Sequence, residues 1–367
     1  MSRTGVIVVL ISAAISAISP ATADADTVIA QERAPTKISA EINRVVWSSY
    51  DPATGDYHLM SKETFGTPTR LPVGPRKVPF DVDLGYLGEG AEFASYSRCK
   101  REPNIVGGGS GGFLPDYATG RGCDIYLFDF SAQREVKYAP LSSRHASEFL
   151  PSVSPAGRIA FARVYERRRG NRGRVPYLYA RRGRSVHRIP GGPRGKTGLP
   201  GPTSLDLKGR LLAYGWDFTP RNGGISASEA RVATVVGSTE LLERETGGLN
   251  VRLVITPGLA SGSPGPAGGI YWARIIASGD ALAQNTFLLR ESRSRQRIRL
   301  GPLDEAPAPG NVLSLSCGLS CADSLYYLAI PNLSLTRAPD GAPLCGSPEA
   351  APACTVALSS PLQFTPR

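Results

Sequence analysis

Few residues of this 367-residue chain have the type and spacing that catalysis asks for. Its three histidines, His58, His145 and His187, lie far apart, and no Ser/His/Asp order can be supported from them. Ser110 sits in Gly108-Gly109-Ser110-Gly111-Gly112, which is formally G-x-S-x-G. A nucleophile elbow needs a strand before the serine and a helix after it, and a glycine tract supplies neither, so the tract reads as linker. Gly195-Lys196-Thr197 ends as a phosphate-binding loop ends, yet the required first glycine falls on Pro190 and no strand–loop–helix frame surrounds it. No catalytic residue is assigned.

Two groups remain. Asp81, Asp83, Asp206 and Asp217 fall at or near the ends of apolar runs, and a ring of carboxylates can bind a cation such as Ca²⁺. Asp83 and Asp206 are the candidates for that metal, although turn capping and hydrogen bonding between neighbouring strands are commoner uses. Residues 166–174, ERRRGNRGR, concentrate arginine in what reads as a loop. Arg167, Arg168, Arg169, Arg172 and Arg174 are the best candidates for binding a partner, because guanidinium groups grip phosphate or carboxylate bidentately. The plainer reading of the same loop is a solvated arginine-rich turn.

The elements that must position these residues are short. Gly 41 and Pro 31 punctuate the chain too often for long helices, and 41% hydrophobic residues suffice for a sizeable core. The formal charge is +11, and arginine outnumbers lysine among the 42 basic residues. Such a surface attracts acidic polymers or anionic lipid, but no nucleic-acid motif accompanies it, and no specific nucleic acid is expected as a partner.

The N-terminus reads as a targeting segment. Arg3 precedes an apolar run over residues 6–18, then Ala21-Thr22-Ala23 offers an A-x-A site, so cleavage is expected after Ala23 or Ala25. The run is shorter than the roughly 20 residues a membrane span needs, and no later stretch is apolar enough to span. The mature chain is expected to be exported, secreted or periplasmic, soluble and monomeric. Export places the six cysteines in an oxidising compartment, and proximity favours the disulfides Cys99 with Cys123, Cys317 with Cys321 and Cys345 with Cys354. A zinc site is disfavoured, since no histidine lies near Cys317 and Cys321.

A strand rich in aliphatic and aromatic residues returns six times: at residues 44–50, 92–97, 158–164, 210–216, 269–275 and 324–330. Each return is followed by a second strand, and in most units by a third, more polar one. In three units a further strand is discernible before the aromatic run, at 78–84, 149–154 and 311–316. Four-stranded antiparallel units in tandem, without helices between them, predict an all-β fold, a six-bladed β-propeller. The domains expected are a signal peptide over 1–23, an N-terminal segment over 24–43 and a single propeller over 44–367. Ring closure is expected from residues 27–32 or 37–42 pairing with the last blade. The recurring tyrosines and tryptophans, Trp47, Tyr96 and Tyr214 among them, read as packing between blades. Residues 100–122 read as a flexible lobe tied at its base by Cys99 and Cys123.

Residues 154–161, SPAGRIAF, resemble the F-S-P-D-G-x-x-I-A-F signature of TolB-type, WD40-like (PD40) β-propellers. Ser154, Pro155, Gly157, Ile159, Ala160 and Phe161 match; the signature has one more residue before its isoleucine, and Ala156 stands where it has aspartate. The unit at 202–214 keeps Asp206, Gly209 and its apolar run without the Ser-Pro. The α/β domain that accompanies TolB propellers has no room here. The resemblance implies a non-catalytic exported propeller that binds a protein or an anionic cell-envelope polymer through its loops. The alternative is a propeller enzyme working from the channel, lactonase- or lyase-like and metal-assisted.

Overall fold

The computed structural model describes residues 27–41, 44–87, 91–105, 115–154, 157–165, 176–182, 185–189, 197–198, 201–220, 227–234, 239–246, 251–257, 270–276, 287–291, 294–299, 311–316, 326–330, 335–346, 352, 354–358 and 363–365. Among them, the only helical elements are the single turns Tyr117–Thr119 and Ala139–Leu141. Everything else that is regular is strand, as frequent glycine and proline dictate.

The strands form antiparallel meanders. In the first blade they are Ile38–Glu41, Arg44–Asp51, Asp56–Glu63 and Thr69–Arg70, hydrogen-bonded in that order. The second blade runs Asp83–Leu87, Ala91–Arg98, Asp124–Asp129 and Arg134–Lys137; the third runs Ala146–Val153, Ile159–Tyr165, Pro176–Arg182 and Ser185–Arg188. Pro202–Lys208, Leu211–Pro220, Ala227–Thr234 and Thr239–Thr246 follow, with Thr197–Gly198 added beside Leu211–Pro220. Next come Val251–Pro257, Ile270–Ile276, Phe287–Glu291 and Ser294–Arg299, with Gln363–Thr365 on the outer edge. The closing sheet joins Asn311–Ser316, Tyr326–Ile330 and Cys354–Leu358 to Thr27–Glu32, so its outermost strand comes from the other end of the chain.

The first strand of each meander packs beside the first strand of the next, and Asn311–Ser316 packs beside Ile38–Glu41. This is an all-β propeller fold with four-stranded antiparallel blades. Apolar side chains fill the seams between blades. Val46, Leu59, Phe80, Leu84, Tyr96 and Phe128 form one layer, and Phe149, Ala162, Leu178, Leu205, Leu212 and Tyr214 form another. Trp47, Tyr96 and Tyr214 are fully buried, as the recurrence of aromatics on the second strand requires.

Three expectations are corrected. Ile38–Glu41 is the innermost strand of the first blade and not a closing strand, so that blade begins at Ile38 rather than at residue 44; Thr27–Glu32 alone closes. The inner strand of the second blade starts at Asp83 rather than residue 78: Pro79 has no N–H to donate, and Asp81 turns its carboxylate to side-chain and backbone donors. The ends of the 100–122 lobe are folded, as described below.

Candidate functional site

The innermost strands carry one polar residue at a repeating position. Ser39, Asp83, Ser152 and Asp206 each stand one residue before the backbone N–H groups of Ala40, Leu84, Val153 and Leu207. Those N–H groups are bonded by the blade before. Leu84 N–H donates to Ser39 Oγ (2.9 Å), Val153 N–H to Asp83 Oδ2 (2.9 Å) and Leu207 N–H to Ser152 Oγ (2.7 Å). Ala40 N–H donates to Ser316 Oγ at 2.9 Å across the closing seam. The first strand of a meander has no ladder partner on its channel side, and this side chain supplies one.

Asp83 carries the largest share. Ser39 Oγ donates to its Oδ1 (2.9 Å), and Ser152 Oγ (2.8 Å) joins Val153 N–H on its Oδ2. Burial pushes its carboxyl pKa up; Lys37 and these donors oppose the shift. Gly85, two residues on, lets two inner strands approach closely: a Cβ there would collide with the Val153 carbonyl. Asp81 is equally enclosed, accepting from Ser97 N–H (2.8 Å), Ser97 Oγ (2.8 Å) and Leu150 N–H (2.6 Å). The two carboxylates considered as cation ligands at this end of the chain therefore bond blade to blade.

Among the described residues two contacts cross the ring. Glu41 and Lys208, each the last residue of an inner strand, form an ion pair between the first blade and the sheet of Pro202–Lys208, which is not its neighbour. Lys37, just before the first of these strands, donates from Nζ to Leu205 O, midway along the second, at 3.4 Å. Burial pulls the Lys208 ammonium down to about 8, and the touching Glu41 carboxylate supplies the counter-charge. Asp206, 8% exposed, occupies the repeating position in this sheet. Among the described residues no three metal-ligating side chains converge.

In a meander the second-to-third-strand connection and the linker to the next blade leave from the same face, and the second-blade insertion and the hairpin of Leu335–Arg337 and Pro343–Cys345 are connections of that kind. The second-blade insertion is ordered at both ends by the Cys99–Cys123 disulfide and by backbone bridges between Arg101 and Arg121 and between Asn104 and Asp116. Arg76, with a fully buried side chain, reaches into it. Its Nη2 meets Glu102 Oε2 at 2.6 Å, while its Nη1 donates to Ser97 O (2.8 Å) and contacts Asp81 Oδ1 (3.3 Å). Tyr117 is buried, and its hydroxyl donates to Pro79 O (3.2 Å). The hairpin of Leu335–Arg337 and Pro343–Cys345 folds back over the first blade. Ala338, Ala342 and Leu344 cover Tyr50 and Tyr57 there, Tyr50 Oη donates to Asp340 Oδ2 (3.0 Å), and Cys345–Cys354 ties the hairpin to the closing sheet.

Arg167, Arg168, Arg169, Arg172 and Arg174, Ser110, and the pair Cys317 and Cys321 lie outside the described residues, whereas Asp217 lies half-buried on Leu211–Pro220, its N–H donating to Gly201 O at 3.0 Å. The described stem of the arginine loop is aromatic and basic. Arg163 lies 5.0 Å from the Tyr179 ring centre, Arg188 lies 3.7 Å from that of Tyr177, and Tyr165 is 43% exposed. The three histidines stay apart, with His58 Nε2 4.0 Å from Asp51 Oδ2, His187 on the outer strand of the third blade and His145 in an exposed turn. Sequence reasoning missed Arg76 and the Glu41–Lys208 pair. The inner-strand repeat of Ser or Asp before an apolar residue was present as a signal.

No protein-family model matches the chain, and no curated relative matches it in sequence. Similar solved structures include TolB from Acinetobacter baumannii, 16% identical, at a TM-score of 0.43 over 89% of this chain and 67% of that one. An Aleuria aurantia lectin is 10% identical, at a TM-score of 0.47 over 92% and 99% of the two chains. An α-L-arabinanase of Penicillium chrysogenum is 10% identical, at 0.49 over 93% and 98%. Likeness at this level says nothing of activity or partner.

Proposed function

We propose that the chain is an exported six-bladed propeller with WD40-like repeats, and that it works as a binding module for a protein or an anionic cell-envelope polymer. The observation that carries this reading is what the inner wall does: Asp83 bonds on both carboxylate oxygens to neighbouring blades, and Glu41 meets Lys208 across the ring. A channel enzyme needs converging acid, base or metal-ligating groups free to meet a substrate. These groups hold blades together. The six-blade count is supported by the two five-stranded sheets, each of which contains a four-stranded meander and an added edge strand. The two disulfides fit an oxidising compartment, and the region 1–23 is proposed to be removed on export.

Binding is assigned to the insertion face, with Arg167, Arg168, Arg169, Arg172 and Arg174 gripping carboxylate or phosphate groups. The test is retention of residues 24–367 on the envelope fraction of the source cell, with the metal content of the same preparation measured. Replacing Arg167, Arg168 and Arg169 with serine is expected to abolish retention. Unchanged retention overturns the assignment, and one tightly held Ca²⁺ per chain with no retained partner moves the reading to a metal-assisted channel enzyme.

A further inference from the structure

Arg101 and Arg121 face each other across the stem of the second-blade insertion. They exchange both backbone hydrogen bonds, Arg101 N–H to Arg121 O at 3.1 Å and Arg121 N–H to Arg101 O at 2.9 Å. In an antiparallel ladder such a pair has Cα atoms about 5.5 Å apart and side chains on the same side. Both residues are exposed, and so is Lys100. Like charges directly opposite on a ladder repel, so this arrangement costs stability unless something neutralises it.

No side chain nearby does so. Glu102 is held by Arg76, Asp124 by Lys137 at 2.5 Å, and Asp116 accepts from Ala118 N–H at 3.1 Å. Among the described residues no carboxylate pairs with Arg101 or Arg121. The stem is also rigid. Cys99–Cys123 closes it two residues from the arginines, Asn104 N–H donates to Thr119 Oγ1 (2.7 Å) farther out, and Tyr117 anchors the far side in the core. The backbone positions that carry two cations are thus held opposite each other on the insertion face.

We propose that Arg101 and Arg121 form a clamp for a phosphate dianion, either free phosphate or the phosphomonoester of a larger ligand. A dianion neutralises both guanidinium groups at once, whereas a single carboxylate neutralises one, and the guanidinium fork matches the phosphate oxygens bidentately. The clamp uses none of residues 166–174, and either assignment can fail without the other.

The test uses the mature chain with its disulfides intact, above the second ionisation of phosphate. Inorganic phosphate is expected to raise the melting temperature saturably relative to chloride at equal ionic strength, as any ligand specific to the native state does. Arg101→Ser and Arg121→Ser each weaken the apparent affinity about tenfold, the value of one charge-assisted contact. Without phosphate, either replacement raises the melting temperature slightly by relieving the repulsion, whereas Lys100→Ser alters neither reading. A second arm offers vesicles of phosphatidylcholine with and without phosphatidic acid. Arginine-dependent capture by the phosphatidic acid vesicles assigns the phosphate to a lipid headgroup, and a response to phosphate alone assigns a soluble ligand. Equal melting temperatures in phosphate and chloride without such capture overturn the clamp, as does a response that survives Arg101→Ser with Arg121→Ser.

Discussion

The seam between the second and third blades and the seam where the ring closes do the same job by different means. Between the second and third blades, two buried aspartates reach across the gap. Asp81 takes Leu150 N–H, and Asp83 takes Ser152 Oγ and Val153 N–H, with Gly85 letting the backbones close in. Among the described residues the closing seam has one comparable bond, Ala40 N–H to Ser316 Oγ, and surrounds it with other devices. Thr27–Glu32 pairs with Cys354–Leu358, Trp47 Nε1 (2.5 Å) and Ser49 Oγ (2.8 Å) bind the Glu32 carboxylate, and the hairpin tied by Cys345–Cys354 lies over Tyr50 and Tyr57. The difference follows from chain connectivity. Adjacent blades meet after a short linker, while Thr27 must find Leu358, so loop-closure entropy falls on the last seam. The inner seam is concentrated in two carboxylates; the closing seam is redundant.

Concentration makes the inner seam the easier one to break. Asp83→Ala leaves Ser39 Oγ, Ser152 Oγ and Val153 N–H buried without that acceptor, and a loss of about 4 kcal/mol is expected in urea unfolding. Asp83→Asn keeps an oxygen for part of the set and should lose about half as much. If the alanine variant unfolds at the wild-type midpoint, the seam does not depend on its carboxylate.

The closing seam should instead answer to pH. Burial raises the Glu32 carboxyl from its usual 4.5 to about 7, against the two donors from Trp47 and Ser49. The native state then binds more protons than the unfolded chain between those values. Stability is fullest below pH 4.5 and falls as pH rises towards 7, by about 3 kcal/mol in all. Glu148 is also raised, to about 8, so the measurable quantity is the difference between wild type and Glu32→Gln across a series of pH-resolved melts. The variant should lack this slope; parallel curves would show that Glu32 does not titrate with closure.

Removing the disulfide of the same seam should matter less. Cys345→Ser with Cys354→Ser opens a link of sequence separation 9, expected to cost about 2 kcal/mol, and the strand pairing of Thr27–Glu32 remains. A collapse as large as that of Asp83→Ala would mean that the closing seam is not redundant.

Much of this frame was legible in the sequence because it is local. Alternating apolar residues mark each strand, Gly157 and Gly209 mark hairpin turns at positive φ of 70° and 60°, and nearby cysteines mark two of the disulfides. The closing strand was legible as one of two choices. Residues that meet only through the ring were not. Glu41 and Lys208 are separated by 167 positions, and Arg101 faces Arg121 only because the insertion doubles back between Cys99 and Cys123. Asp83 looked like a possible cation ligand because a carboxylate near a strand end has the same sequence appearance whether it faces a channel or the next blade. What decides is the register between sheets, and no spacing within one strand encodes it.

The smallest effect belongs to the residue that made the chain resemble a known repeat. Ser154 opens the Ser-Pro-x-Gly turn, and its own backbone closes the turn locally: Gly157 N–H donates to Ser154 O, and Ser154 N–H donates to Arg158 O, both at 2.9 Å. Its hydroxyl looks outward instead, accepting from Gly209 N–H of the next sheet's turn at 2.9 Å, while Arg158 Nη1 reaches Gly209 O at 3.1 Å. Ser154→Ala therefore spares the turn and removes two contacts between blades, Gly209 N–H to Ser154 Oγ and the longer Ser154 Oγ to Gly209 O (3.4 Å), with Arg158 still holding the carbonyl of the same glycine. A loss of about 1 kcal/mol is expected, well short of Asp83→Ala, where three donors lose one acceptor. If Ser154→Ala instead unfolds the chain as readily as Asp83→Ala, the turns at Gly157 and Gly209 hold the blades as firmly as the inner wall does, and the difference between the seams lies in the turns and not in the carboxylates.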